Sequence, residues 1–250
     1  MIPFDDAIRD RGLLLGDGLF ETMLATDGAL PHMAAHLDRL AAGCRTLNLP
    51  FDRAEAERLV RAAAPAQGRF AVRLTLTAGV GGRGLDRPAA PVPRLFATAA
   101  PAPLVTTPAT LIVARTRRNE GSSAARLKSL SYLDNVLARV EARAAGADEA
   151  VMLNNRGEVA CAGAANLFWI VGDRVFTPRL DCGVLAGITR ARILARRPVE
   201  EVAAGVEALE AADAIVLTNS LIGARPVSRL GQRAFAGHSL VEALREGLAV

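Results

Sequence analysis

Two α/β (α+β) domains are the fold class this sequence predicts, on three observations. Apolar residues alternate with polar ones in runs such as "RFAVRLTLT" and recur at helical spacing in others such as "PHMAAHLDRLAAGCRTLNL", so strands and helices are mixed along the chain. Turn signals at "TDG", "NNRG" and "GD" join successive apolar runs as hairpins. A polar break, "RTRRNEGSSAA" at 115–125, interrupts the pattern near the middle. It predicts an N-terminal domain over 1–115, a linker over 116–124 and a larger C-terminal domain over 125–250, with a cleft between the two. At 250 residues the chain is long enough for each domain to bury its own core.

Taken in order, "RGLLLGDGLFETMLATDGAL" reads as apolar strands broken at "GDG" and "TDG". Met33, Leu37, Leu40 and Leu47 then mark a helix, and Asp52 is placed to cap a second one over "RAEAERLVRAAA". Phe70, Val72, Leu74 and Leu76 point to one face of a strand, Arg69, Arg73, Thr75 and Thr77 to the other. "RLFATAA" and "ATLIVART" complete the first domain as strands. In the second, Leu133, Val136, Leu137 and Val140 line one face of a helix that stops at Gly146. The hairpin "EAVML", "NNRG", "EVACAGAANLFWIV" follows, then a short helix after Gly187, a strand "AIVLTN", a hairpin around Gly231 and a closing helix "SLVEALREGL".

Composition removes several functions. No uncharged apolar stretch approaches the ~20 residues of a membrane span, and "MIPFDDAIRDRG" has no leader-like apolar run, so the expected location is cytoplasmic. Cys44, Cys161 and Cys182 are odd in number and lack metal-ligand spacing, which predicts neither a disulfide framework nor a zinc site. A net charge of +4 spread over scattered arginines, with few aromatics, gives no basis for nucleic-acid binding.

The chemistry centres on Lys128, the single lysine among thirty cationic side chains. Arginine suffices wherever only charge is wanted, but it cannot release a proton and attack carbon as lysine can. A coding bias toward arginine is the other explanation. "LTAGVGGRGL" follows a strand, yet Asp86, Arg87 and Pro88 come next where a dinucleotide site needs a helix. The loop and its Arg83 suit a carboxylate-bearing ligand or a plain surface loop. "LAGITRARIL" sets Gly187 and Thr189 at a helix start, where free amides and a hydroxyl suit a phosphate. His32, His36 and His238 form no triad with a serine and an aspartate.

Lys128, the "GIT" turn and the arginine of "HLDRL" together resemble the class IV aminotransferase family, pyridoxal-phosphate enzymes of fold type IV. "RGLLLGDGLFETM", "HLDRL", "LKSLSYLDNVLAR", "GADEAVMLNNRGEVACAGAANLFWI", "TPRLDCGVLAGITR" and "LTNSLIGARPV" fall in the family's order and spacing. The resemblance implies a two-domain α/β fold with pyridoxal 5'-phosphate in the interdomain cleft, a homodimer and a small-molecule amino substrate. It implies that Lys128 is the catalytic lysine that joins the cofactor aldehyde and shuttles the proton. Arg39 matches the phosphate-binding arginine, Ile188 and Thr189 the phosphate cup, and Ser220 the small hydroxyl beside phosphate and substrate.

One position departs from the pattern. The family has a glutamate five residues ahead of the asparagine of "NLF", where it bonds the pyridine nitrogen; counting back from Asn166, this chain has Cys161. A neutral thiol supplies no opposite charge for a pyridinium. Glu158, three residues away in an extended strand, points to the other face. The enzyme thus works with a less electrophilic ring, or Cys161 ionises, or the protein binds cofactor with little turnover.

"GGRGL", "AANLFW", "TPRLD" and "NSLIGARPV" resemble aminodeoxychorismate lyase, which splits 4-amino-4-deoxychorismate into pyruvate and the folate precursor 4-aminobenzoate. A D-amino-acid or branched-chain aminotransferase of amino-acid metabolism is the alternative. Arg73, Arg83 and Arg225 are the candidates for holding substrate carboxylates, and Phe20 and Tyr132 for the pocket walls.

Overall fold

The computed structural model describes residues 7–248, so the first six residues of "MIPFDDAIRDRG" lie outside the described residues. The chain forms two compact units. One comprises Met1–Pro103 with Leu127–Tyr132, the other Leu104–Arg126 with Leu133–Val250. This corrects the expected boundary in two ways. The strand expected to close the first unit belongs to the second, and the segment expected as a linker is structured within it. Both differences have one cause, pairing between residues distant in sequence.

In the first unit, α1 (Arg11–Leu15) replaces the strand expected over "RGLLL". Asp10 accepts from the Gly12 amide at its start, and Gly16, with φ of 66°, ends it in the left-handed conformation. β1 (Gly18–Thr26), β2 (Arg69–Thr77) and β3 (Arg94–Pro101) form an antiparallel sheet in that order. α2 (Met33–Thr46) and α3 (Arg53–Ala63) cover it, the second started by Asp52 accepting from the Glu55 amide. Met23, Leu37, Leu40, Val72, Leu74 and Leu76 meet in the core. Thr75 and Thr77, expected to face outward, are buried as well. The segment carrying Lys128 lies along β1: the Phe20 amide donates to the Lys128 carbonyl, and the Leu130 amide to that of Gly18, both at 2.9 Å. Gly18 permits this approach, since a Cβ there would lie 2.8 Å from Leu130 Cδ1 of that segment, and it also lets β2 come close, with the Leu76 carbonyl oxygen 2.3 Å from the same position.

The second unit is built on β4 (Ala109–Val113), which pairs in parallel with β5 (Glu149–Leu153) and β11 (Gly223–Leu230). Parallel partners need long connections, so no local signal announces them. Between β4 and β5 run α4 (Ser123–Arg126) and α5 (Leu133–Ala144). β6 (Val159–Ala162), β7 (Asn166–Val171), β8 (Arg174–Pro178) and β9 (Glu200–Val202) follow, with α6 (Ile188–Leu194) between the last two. α7 (Glu207–Glu210), β10 (Ala214–Asn219), β12 (Arg233–Ala234) and α8 (Ser239–Arg245) complete the unit. The sheet runs β6-β5-β4-β11-β10-β7-β8-β9, with β12 beside β11. Leu111, Val151, Leu167, Trp169, Ile215 and Leu217 share one core cluster. Phe168, Ile170, Val216 and Ile193 share another.

The apolar face expected to seat α5 is on the outside. Leu133, Val136, Leu137 and Val140 are between 45% and 68% exposed, and the buried residues are Asn135, Ala138 and Ala142. Small side chains let the helix sit close against Ala150, Met152 and Cys161, with which the two alanines cluster. Among the described residues no helix is long and apolar enough to cross a membrane.

Candidate active site

In the first unit, Phe20 on β1 gathers the expected site residues. The Lys128 Nζ lies 4.3 Å from the centre of its ring and 5.3 Å from that of Tyr132, and the two rings meet edge to face at 5.1 Å. Across the strand pair, the Arg73 guanidinium lies 3.7 Å from the same Phe20 ring. Burial depresses the pKa of Arg73, with Tyr132 opposing, though a guanidinium stays charged. Two cationic side chains therefore contact one aromatic ring.

Arg39, on α2, meets Glu21 of β1 in a fork: Nε to Oε1 at 2.8 Å and a terminal nitrogen to Oε2 at 2.6 Å. His36 Nδ1 lies 2.7 Å from the same Oε2. Burial pushes the Glu21 carboxyl up, but the hydrogen bonds from Arg39 and His36 outweigh it and hold the group below its ordinary value. The carboxylate fixes the plane of the guanidinium. Sequence reasoning overlooked Glu21; the available signal was a carboxylate inside the apolar strand "GLFETMLAT".

Arg83 is exposed on a loop whose stem is pinned. Arg11 donates to the carbonyls of Leu85 and Asp86, at 2.7 and 3.1 Å, and to Asp17 at 2.8 Å. Arg87 grips the other side of Asp17. Those bonds, with Arg87 foremost, hold the Asp17 carboxyl below the usual carboxylate value against the opposing effect of burial.

In the second unit, Gly187 precedes α6 and no side chain caps it. A Cβ at Gly187 would lie 1.9 Å from Asn166 Oδ1, so only glycine fits beside that asparagine. Asn166 itself donates to the Leu185 carbonyl at 3.0 Å. Thr189 is buried in the first turn, and Ser220 follows the end of β10. Thr218, paired with Asn166 across β10 and β7, is fully buried, and its Oγ1 has no hydrogen-bond partner. Uncapped amides, threonine hydroxyls and a glycine approach make a donor set that fits a phosphate dianion. With seven residues α6 is too short to add much of a dipole, so the local donors carry that fit. Asn166 and Thr218 escaped the sequence reading because their proximity depends on strand pairing.

Cys161, on β6 opposite Met152, is 6% exposed, and burial raises its thiol pKa against an opposing effect of Arg118. Glu158 does not replace it, because Asn154 and Arg156 take its Oε2 at 2.7 Å each. Arg225 is committed to its own unit. It donates to the carbonyls of Thr107 and Pro108 and lies 3.4 Å from Asp148. It lines a cavity of about 500 Å³ with Leu104, Ile222 and Glu242, none of which belongs to the Gly187 cup. Among the described residues no group of three or more His, Cys, Asp or Glu is placed to hold a metal ion.

The amino-transferase class IV family matches residues 18–230. The chain belongs to that family. Among class IV relatives, the aminodeoxychorismate lyase of Vibrio harveyi is 30% identical over 230 residues, covering 88% of this chain and 85% of that protein. A putative branched-chain-amino-acid aminotransferase of Methanocaldococcus jannaschii is 34% identical over 193 residues, 74% of this chain and 66% of that one. The solved structure of 4-amino-4-deoxychorismate lyase from Pseudomonas aeruginosa superposes with a TM-score of 0.87 at 33% identity, covering 96% of this chain and 93% of that one. The class IV fold expected from the motifs is thus the fold of the chain, and the family is one of pyridoxal-phosphate-dependent enzymes.

Proposed function

We propose that the chain is a pyridoxal-phosphate-dependent aminodeoxychorismate lyase, releasing 4-aminobenzoate and pyruvate from 4-amino-4-deoxychorismate. The observation that carries this reading is the pair of cations, Lys128 and Arg73, on the Phe20 ring, in a chain similar to two lyases across most of its length. Pyridoxal phosphate, when bound, would supply an aldehyde for the substrate amine and a ring that draws electrons from the adjacent carbon. Lys128 supplies the amine that meets that aldehyde, and its nitrogen then accepts the proton lost from the substrate ring. Phe20 and Tyr132 flank that amine. Arg73, charged and partly desolvated, would hold one substrate carboxylate, and Arg83 is the candidate for the other. In the first unit, Arg39, oriented by Glu21, is the candidate phosphate-binding arginine; in the second, the Ile188 and Thr189 amides and the hydroxyls of Thr189 and Ser220 are the candidate phosphate cup. The reading does not draw on Arg225. The same residues would serve the aminotransferase that the archaeal relative suggests, with one carboxylate to hold instead of two.

Purified protein with pyridoxal phosphate and 4-amino-4-deoxychorismate is expected to give 4-aminobenzoate and pyruvate in equal amounts. Keto-acid formation from D-alanine or branched-chain amino acids, with no 4-aminobenzoate, would establish the aminotransferase instead. The buried free thiols of Cys44, Cys161 and Cys182 suit a reducing cytoplasm.

A second copy of the chain is the partner that best suits the outer face of α5. Burying each of its four aliphatic side chains is worth roughly 1.5–3 kcal/mol. Asp134 near one end and Arg143 near the other are both exposed, so an antiparallel copy sets each against the other across a twofold axis. Leu137→Arg is expected to convert a dimer to a monomer in sedimentation; an unchanged sedimentation coefficient would refute this interface.

A further inference from the structure

Arg118 lies in the segment that reads as a linker, yet it is 6% exposed. Its amide donates to the Leu153 carbonyl at 2.9 Å, which ties it to the end of β5. The side chain donates through Nε to the Gly183 carbonyl at 3.1 Å, through one terminal nitrogen to Asn135 Oδ1 at 2.8 Å, and through the other to the Ala125 carbonyl. All three acceptors are neutral, so the hydrogen bonds solvate the cation without cancelling its charge. Asn135 continues the chain of bonds to the Gly163 carbonyl at 2.7 Å, two residues beyond Cys161. From the other side, Cys182 and Val184, which flank Gly183, pack in the same cluster as Cys161.

The acids nearby are already matched. Glu149 is paired with Arg139 at 2.7 Å and accepts from the Ala150 amide, and Glu158 is held by Arg156 and Asn154. Two charges still act on the thiol, and the positive one of Arg118 outweighs the opposing one of Glu149, which Arg139 offsets.

We propose that Cys161 and Arg118 together keep the ring nitrogen of bound pyridoxal phosphate unprotonated. This rests on the cofactor reading above and on Cys161 standing where the family has its glutamate. A cation nearby disfavours a second positive charge, and a neutral thiol can donate a weak hydrogen bond to a basic nitrogen but cannot balance a pyridinium. Burial acts in the same direction by keeping the thiol protonated. The ring is then a weaker electron sink, which suits a reaction that ends by expelling a leaving group over one that stores charge on the cofactor.

The test is nitrogen NMR of holoenzyme reconstituted with pyridoxal phosphate labelled with ¹⁵N in the ring. Wild type is expected to give a signal in the unprotonated pyridine range throughout neutral pH. Cys161→Ser should leave it there, and Cys161→Glu should move it by tens of ppm into the pyridinium range. A pyridinium signal in wild type overturns the proposal even if no variant folds, as does a Cys161→Glu holoenzyme whose signal stays put. Failure of the wild-type protein to take up the label, seen beforehand as the absence of protein-bound absorbance, would overturn the cofactor reading itself and is thereby told apart.

Discussion

Two arginines, one in each unit, are held in opposite ways. Arg39 meets a carboxylate in a two-point fork, with a histidine on the same carboxylate. Arg118 meets two carbonyls and an amide. The first arrangement gives orientation: Glu21 holds Arg39 by two hydrogen bonds and aims it. The second leaves the charge in place, so Arg118 acts through its field on whatever lies near Cys161. Residue type and burial alone do not distinguish the two; the chemistry of the acceptors does.

Breaking the paired side should have the larger effect. Glu21→Gln leaves Arg39 without its counter-charge, at an expected cost of about 3–5 kcal/mol in urea unfolding at neutral pH. Because the Glu21 carboxyl is held below its ordinary value of 4.5, its stabilisation is present above that value and is lost as pH falls through the folded-state value. The acid-side slope of stability should therefore flatten in Glu21→Gln; an unchanged slope would place it on other carboxylates. Arg118→Lys keeps the charge and gives up part of the fork, so about 1–2 kcal/mol is expected, with the acid-side slope intact because no carboxylate answers this cation.

The cup before α6 offers two further changes. Gly187→Ala drives a Cβ into Asn166 Oδ1 and should cost about 1–3 kcal/mol while weakening pyridoxal-phosphate binding, read by titration of the cofactor absorbance. Thr218→Val removes a buried hydroxyl that has no partner, and the apo protein should gain about 1 kcal/mol in thermal unfolding. A loss of stability there would mean that the hydroxyl is satisfied in solution.

The same contrast marks what the sequence made legible. Features written locally could be read: α2 and its stripe, the Asp52 cap, Gly187 before α6, and Lys128 as the lone lysine. Features that depend on distant partners could not. β4 was assigned to the wrong unit because its neighbours are parallel strands far along the chain. Arg118 read as linker because the acceptors at Gly183 and Asn135 are supplied by other segments. The apolar stripe of α5 read as core because periodicity reports a face without saying what covers it. "RGLLL" read as strand because three leucines outweighed a cap and a glycine stop only a few residues apart.

A chain with one lysine allows a direct test of the account's centre. Holoenzyme reduced with borohydride, digested and analysed by mass spectrometry should carry the reduced cofactor on the peptide containing Lys128, and denaturation should no longer release it. Cofactor that washes out after reduction, or that is fixed at the N-terminal amine, would contradict the assignment of Lys128.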